Sequence, residues 1–171
     1  ETGEEVNFMP EGAMTIIENG TGHVVGIVGG RSKETSRSLN RATQKFQIGS
    51  STKPLTAYGP GIETKRITAA TTFDNIPIQI GSWKPGNAGG FTGMTTVREA
   101  IRRSINVVAV QALYATGIEN AAHYAELLGL EIVREGDRND MNGSALALGG
   151  YTHGQSTLAM ASAFSTFPDQ G

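Results

Sequence analysis

Residues 48–55 read Ile48-Gly49-Ser50-Ser51-Thr52-Lys53-Pro54-Leu55. Ser50 and Lys53 stand three positions apart, and on a helix residues three apart share a face. A helix starting near Ser50 therefore aims the Lys53 amine at the Ser50 hydroxyl. A hydroxyl is a weak nucleophile until a base takes its proton. A lysine becomes such a base when burial lowers its pKa. The helix start also places the positive end of the dipole at Ser50, whose backbone N–H is then a candidate oxyanion donor. The plain alternative is an N-capping serine followed by a solvated lysine, because the tetrad alone is common.

The helix is predicted to continue along the face of Leu55, Tyr58 and Ile62. Pro54 is tolerated in a first turn, where no helical N–H bond is lost. Pro60 is expected to kink or end the helix. Upstream, Ala13–Glu18 and His23–Val28 are β-prone runs around Asn19-Gly20-Thr21-Gly22, which reads as a β-hairpin. Gly29-Gly30-Arg31 closes the second strand, and residues 31–45 read as a polar loop. Downstream, residues 74–94 are rich in Gly, Pro and Asn and read as an extended loop. Thr96-Val97-Arg98-Glu99 is a capping box, with Val97, Ala100, Ile101 and Ser104 on one helical face. Further helices are predicted over Val107–Ala115, stopping at Gly117, and over Glu119–Leu128, ending at Gly129. The last runs over Leu158–Phe164 with Thr157 as N-cap.

A second chemical feature is Ser104-Ile105-Asn106, two polar side chains flanking an apolar one at a helix junction. Taken alone it reads as well as a helix break satisfying local backbone groups. The bulk composition narrows the classes. The 171 residues carry 38% apolar side chains and a formal net charge of −2, enough for one core and without the basic surplus of nucleic-acid binding. No apolar run approaches the ~20 residues of a membrane span. The absence of cysteine excludes disulfides, thiolate catalysis and cysteine metal sites. His23, His123 and His153 lack ligand spacing and read as ordinary surface or core residues.

Ser-x-x-Lys followed by Ser-x-Asn is the order of the penicillin-recognising serine enzymes. Several stretches resemble the bifunctional (class A) penicillin-binding proteins of Gram-positive type. These are Gly26-Ile27-Val28-Gly29-Gly30-Arg31, Asn40-Arg41-Ala42-Thr43, residues 48–55, Tyr58-Gly59-Pro60-Gly61-Ile62-Glu63, Thr96–Ala100 leading into Ser104–Val107, and Leu148-Gly149-Gly150 leading into Met160–Phe164. The resemblance covers nearly the whole chain. It implies an α+β fold of the penicillin-binding/serine β-lactamase type, helices packed on an antiparallel sheet, and a D,D-transpeptidase that crosslinks peptidoglycan stem peptides through a serine acyl-enzyme. Carried over, Ser50 is the nucleophile and Lys53 the base. Ser104 relays a proton to the leaving nitrogen, and Asn106 hydrogen-bonds Lys53 and the ligand amide. The implied ligands are the D-Ala–D-Ala stem peptide and β-lactams, held by Ser50, Ser104 and Asn106. No metal or organic cofactor and no nucleic acid is implied.

One departure concerns the family's third motif, Lys-Thr/Ser-Gly. None of Lys33, Lys45, Lys53, Lys65 and Lys84 begins such a triplet. Residues 1–171 are therefore expected to be the N-terminal portion of the transpeptidase domain, with the third motif on a segment C-terminal to residue 171. The site within this chain would then be incomplete. A location on the extracytoplasmic face of the bacterial membrane is implied, through an anchor upstream of this chain, with a glycosyltransferase domain in the parent protein. The alternatives are a serine β-lactamase, disfavoured by isoleucine at 105 where class A β-lactamases carry aspartate, and a non-catalytic penicillin-binding sensor.

Overall fold

The computed structural model describes residues 10–31 and 39–170. Residues 32–38 of the polar stretch read as a loop over 31–45 lie outside them. The centre is a helix, α3 (Asn106–Thr116), whose Val107, Val108, Ala109, Val110, Ala112 and Leu113 are all fully buried. A helix with apolar residues round most of its circumference must be enclosed on most sides, and here Tyr114 and Ala115 alone among its apolar residues are exposed. Full burial of each valine contributes roughly 1.5–3 kcal/mol.

What encloses α3 begins at residue 49. A 3₁₀ turn (Gly49–Thr52) passes into a π turn (Pro54–Tyr58) and then into α1 (Gly59–Glu63). Of the two outcomes expected at Pro60, an end to the helix does not occur. The helical run neither ends nor breaks there; it changes register just before, with the Gly59 N–H reaching back to the Pro54 carbonyl. The wide turn leaves Pro60 in the first turn of α1, where its missing N–H costs nothing. It also carries one extra residue, so the buried face shifts by one. Leu55 and Tyr58 are buried as read, but Ile62 is 44% exposed and Gly61 takes the inner position. A Cβ at Gly61 would lie 2.4 Å from the Thr116 hydroxyl.

The stretch 74–94 is not all loop. β3 (Thr72–Asn75) pairs antiparallel with β4 (Gly93–Thr96), Thr72 opposite Thr96 and Asn75 opposite Gly93. The polar composition hid two short strands around the excursion 76–92. α2 (Val97–Arg102) follows, its first turn capped by the Thr96 hydroxyl accepting from Glu99 N–H at 3.2 Å. The Glu99 carboxylate pairs with Arg102. After α3, Gly117 opens α4 (Ile118–Leu127), which stops before Gly129 at φ +80°.

The sequence reading missed α5 (Gly143–Leu148), although its signals are present. Asn142 caps it, accepting from Ala145 N–H at 3.0 Å, and Gly149 ends it in the left-handed region. α6 (Thr157–Ser165) is capped by Ser156, not Thr157 as expected. The Thr157 hydroxyl is committed elsewhere, donating to the Ala42 carbonyl at 3.1 Å.

β1 (Met14–Ile17) and β2 (Val24–Val28) form the expected hairpin, Met14 opposite Val28, with positive φ at Gly20 and Gly22 in the turn. It leans on α6 through a Thr15–Thr157 hydroxyl contact of 3.1 Å. Among the described residues the strands make two separate two-stranded sheets, and the architecture is α+β with a helical centre.

Candidate active site

In a 3₁₀ turn residues i and i+3 eclipse one another, so Ser50 and Lys53 stack on one side of the Gly49–Thr52 turn. Ser50 is exposed, and Lys53 is buried, 3% exposed. The turn is clamped from behind. The buried Thr52 hydroxyl meets the Tyr151 hydroxyl at 2.7 Å and the Thr56 hydroxyl at 3.0 Å, and Thr56 donates to the Leu146 carbonyl of α5. The backbone of Gly149 presses on that of Gly49, where a Cβ at residue 149 would sit 2.0 Å from the Gly49 carbonyl oxygen. These partners lie about ninety residues or more away, and no local pattern announces them.

The junction of α2 and α3 faces Lys53. Ile105 N–H bonds the Ala100 carbonyl at 2.9 Å and Ser104 N–H the Ile101 carbonyl at 3.1 Å. Together these make a Schellman end to α2, with residue 104 in the position that glycine usually takes. Ser104 has φ +54°, which costs a non-glycine residue about 1–2 kcal/mol. Strain of this kind persists where the surroundings impose it and clusters at functional sites. Here the side chain that glycine would lack is in use: Lys53 Nζ donates to the Ser104 hydroxyl at 3.0 Å.

Lys53 Nζ also donates to the Ser104 carbonyl at 2.8 Å and to Asn106 Oδ1 at 2.6 Å. An ammonium has three N–H donors, and all three are engaged. Burial pushes the Lys53 pKa down from 10.5 to about 8. At neutral pH the neutral amine is then populated far more than in an ordinary lysine. The structure thus brings Lys53, Ser104 and Asn106 into one cluster. Ser50 lies on the same turn as Lys53 and is exposed, and among the described residues its hydroxyl makes no hydrogen bond to any of the three. A neutral amine has one donor fewer and a free lone pair, and the Ser104 hydroxyl can reverse to donate. The cluster can therefore release a proton site without stranding a buried polar atom.

Among the described residues no group of three His, Cys, Asp or Glu side chains could hold a metal ion, and His23, His123 and His153 are exposed. No helix among them is long and apolar enough to cross a membrane.

Residues 12–171 match the family model described as penicillin binding protein transpeptidase domain. Penicillin-binding protein 1A of Clostridium tetani is 36% identical over 96% of this chain. The match takes in 22% of that relative, so this chain spans about a fifth of the length of such proteins. The structure of penicillin-binding protein 1A from Haemophilus influenzae superposes with TM-score 0.73 at 26% identity, over 92% of this chain and 23% of that one. The PonA1 protein of Mycobacterium tuberculosis in complex with penicillin V gives 0.77 at 23% identity, over 90% and 42%, a likeness of fold. With the family model matching residues 12–171, almost the whole of this chain, the chain belongs to the penicillin-binding-protein transpeptidase family.

Proposed function

We propose that this chain carries the nucleophile half of a serine D,D-transpeptidase centre, with Ser50 as nucleophile, Lys53 as base, Ser104 as proton relay and Asn106 as ligand-amide partner. The observation that carries the reading is the buried Lys53 amine. Its pKa is lowered by burial, it is held by Ser104 and Asn106, and it sits one eclipsed turn from an exposed serine.

The steps follow from this arrangement. Neutral Lys53 takes the Ser50 proton as Oγ attacks the carbonyl of the penultimate D-Ala. The C–N bond breaks, Ser104 passes its proton to the leaving nitrogen and is reprotonated by the Lys53 ammonium that donates to it, and the terminal D-Ala departs, leaving an ester on Ser50 and a neutral Lys53. The amine of a neighbouring stem peptide then attacks the ester, forming the crosslink and regenerating the serine. A β-lactam enters by the same attack, but its leaving nitrogen stays tethered to the acyl group and release is slow.

The other half of the centre is supplied by a segment C-terminal to residue 171 that carries Lys-Thr/Ser-Gly on a strand beside the β1–β2 hairpin. A two-stranded hairpin is marginal by itself, and a peptide substrate binds as an added strand. The parent protein works at the extracytoplasmic face of the membrane through an upstream anchor, with a glycosyltransferase domain before this one. These features rest on the family and on the length of its members.

The test uses the full natural polypeptide and a labelled penicillin. A stoichiometric covalent adduct mapped by mass spectrometry to Ser50, and lost in Ser50→Ala without unfolding, is the expected result. An adduct on Ser51 or Ser104 overturns the assignment.

A further inference from the structure

The orientation of the Asn106 amide is set from outside the three site motifs. A carboxamide presents an acceptor at one end and donors at the other, and its neighbours decide which way it faces. Lys53 offers only donors, so Asn106 must turn Oδ1 toward it. At the opposite end Asn106 Nδ2 donates to the Gly86 carbonyl at 2.7 Å, which only accepts. The next residue holds the backbone of the same helix start. α3 begins after Ile105, which has no capping side chain. Asn87 Oδ1 takes that role from a distance, accepting from Asn106 N–H at 3.0 Å and Val107 N–H at 3.1 Å.

Asn87 is itself fixed by the same logic. Its Nδ2 donates to Asn75 Oδ1 at 2.7 Å and to the Gly90 carbonyl at 3.0 Å. Asn75 is fully buried and donates in turn to the Thr92 hydroxyl at 2.9 Å. A continuous polar chain therefore runs from Thr92 through Asn75 and Asn87 to the start of α3, and from Asn106 to Lys53. Every carboxamide in it has both ends satisfied. Networks of this kind rigidify what they hold.

We propose that Asn87 is a positioning residue of the acylation centre: it caps α3 in place of a local residue and so fixes Asn106 against Lys53. This rests on the reading of Asn106 as part of that centre. The role explains why the stretch 86–92 is tied to the buried Asn75 at the end of β3.

The test is a double-mutant cycle in the full natural polypeptide, reading the rate of acylation by a fluorescent penicillin per folded molecule. Asn87→Ala is expected to slow acylation by about ten- to a hundredfold, the range that small misplacements cost. In an Asn106→Ala background the same change is expected to have less than about a twofold effect, because the residue it positions is gone. Should Asn87→Ala not fold, Asn87→Ser, whose shorter acceptor cannot serve both amides, takes its place in the cycle. Equal slowing in both backgrounds overturns the proposal. An Asn106→Ala variant that acylates at the normal rate overturns the site reading itself, and the Asn87 role with it.

Discussion

Lys53 is 3% exposed, whereas Val25 in the β1–β2 hairpin is 61% exposed. The usual distribution of charged and apolar side chains is reversed at these two places, and the two reversals differ in kind. The buried lysine is fully answered from within the chain, by three acceptors at 2.6–3.0 Å from two residues of one helix junction. The exposed hairpin is not. Met14, Ile16, Val24, Val25, Ile27 and Val28 each show 44% or more of their surface, and α6 is the helix that leans on it. A charge placed inside and satisfied marks a residue kept for chemistry. An apolar ribbon left outside is the surface that the proposed C-terminal strand would cover.

The largest expected effect tests the first half of that contrast. Lys53→Ala should slow acylation by about two to four orders of magnitude, the worth of positioned proton transfer. Lys53→Arg should not restore it, because a guanidinium stays charged. Stopped-flow labelling at matched folded concentrations decides this, and a rescue by arginine would show that positive charge rather than basicity is what residue 53 supplies.

Two glycines set the regions against each other in stability. Gly149 is at φ +79° with its Cβ position 2.0 Å from a backbone oxygen, while a Cβ at Gly26 in β2 would meet Ile16 at an ordinary 3.5 Å. Gly149→Ala is expected to cost about 2–5 kcal/mol and to displace the Ser50 turn, lowering acylation as well. Gly26→Ala should stay within about 0.5 kcal/mol. Urea unfolding of both variants measures the difference, and comparable losses would mean that the hairpin is packed as tightly as the site.

Ser104 permits a sharper cut. Ser104→Gly relieves the positive φ and Ser104→Ala keeps it, so the glycine variant should be the more stable by about 1 kcal/mol. Both lose the hydroxyl that faces Lys53 and should acylate slowly. If glycine restores acylation, the hydroxyl is dispensable and residue 104 serves only to end α2.

For the hairpin, Val25→Thr changes polarity at nearly constant shape. In residues 1–171 alone it should shift stability by less than about 0.5 kcal/mol. In the longer polypeptide, with a strand laid over the ribbon, it should cost about 1–3 kcal/mol, since the hydroxyl is then buried unpaired. Equal small effects in both would leave the hairpin uncovered.

The last effects concern pH. Acylation should rise as pH increases through about 8, where the Lys53 amine becomes neutral. The folded pKa lies below the unfolded one. Between about 8 and 10.5 the folded state therefore holds fewer protons, and stability should rise with pH across that window. Lys53→Met should remove this rise, which denaturant midpoints at pH 8 and 10 would register.

The sequence by itself determined whatever depends on neighbours along the chain. Thr96 and Glu99 announced the start of α2, Asn19-Gly20 the hairpin turn, Gly117 and Gly129 the helix ends, and Ser50-x-x-Lys53 a shared face. Asn142 and Gly149 carried the same signals for α5 and were overlooked. Capping, turn chemistry and i, i+3 spacing are local physics and can be read locally. The tertiary structure decided the rest. Pro54 and Pro60 permit several outcomes, and burial against α3 selected the π turn that hides Gly61 and exposes Ile62. Lys53 has an ordinary sequence context. Its low pKa and its three partners exist because the chain folds back 51 and 53 positions to bring residues 104 and 106 against it. The Asn87 cap, 19 and 20 positions before the amides it holds, is likewise invisible in one dimension. Burial and carboxamide orientation are properties of a packed interior, and only folding creates that interior.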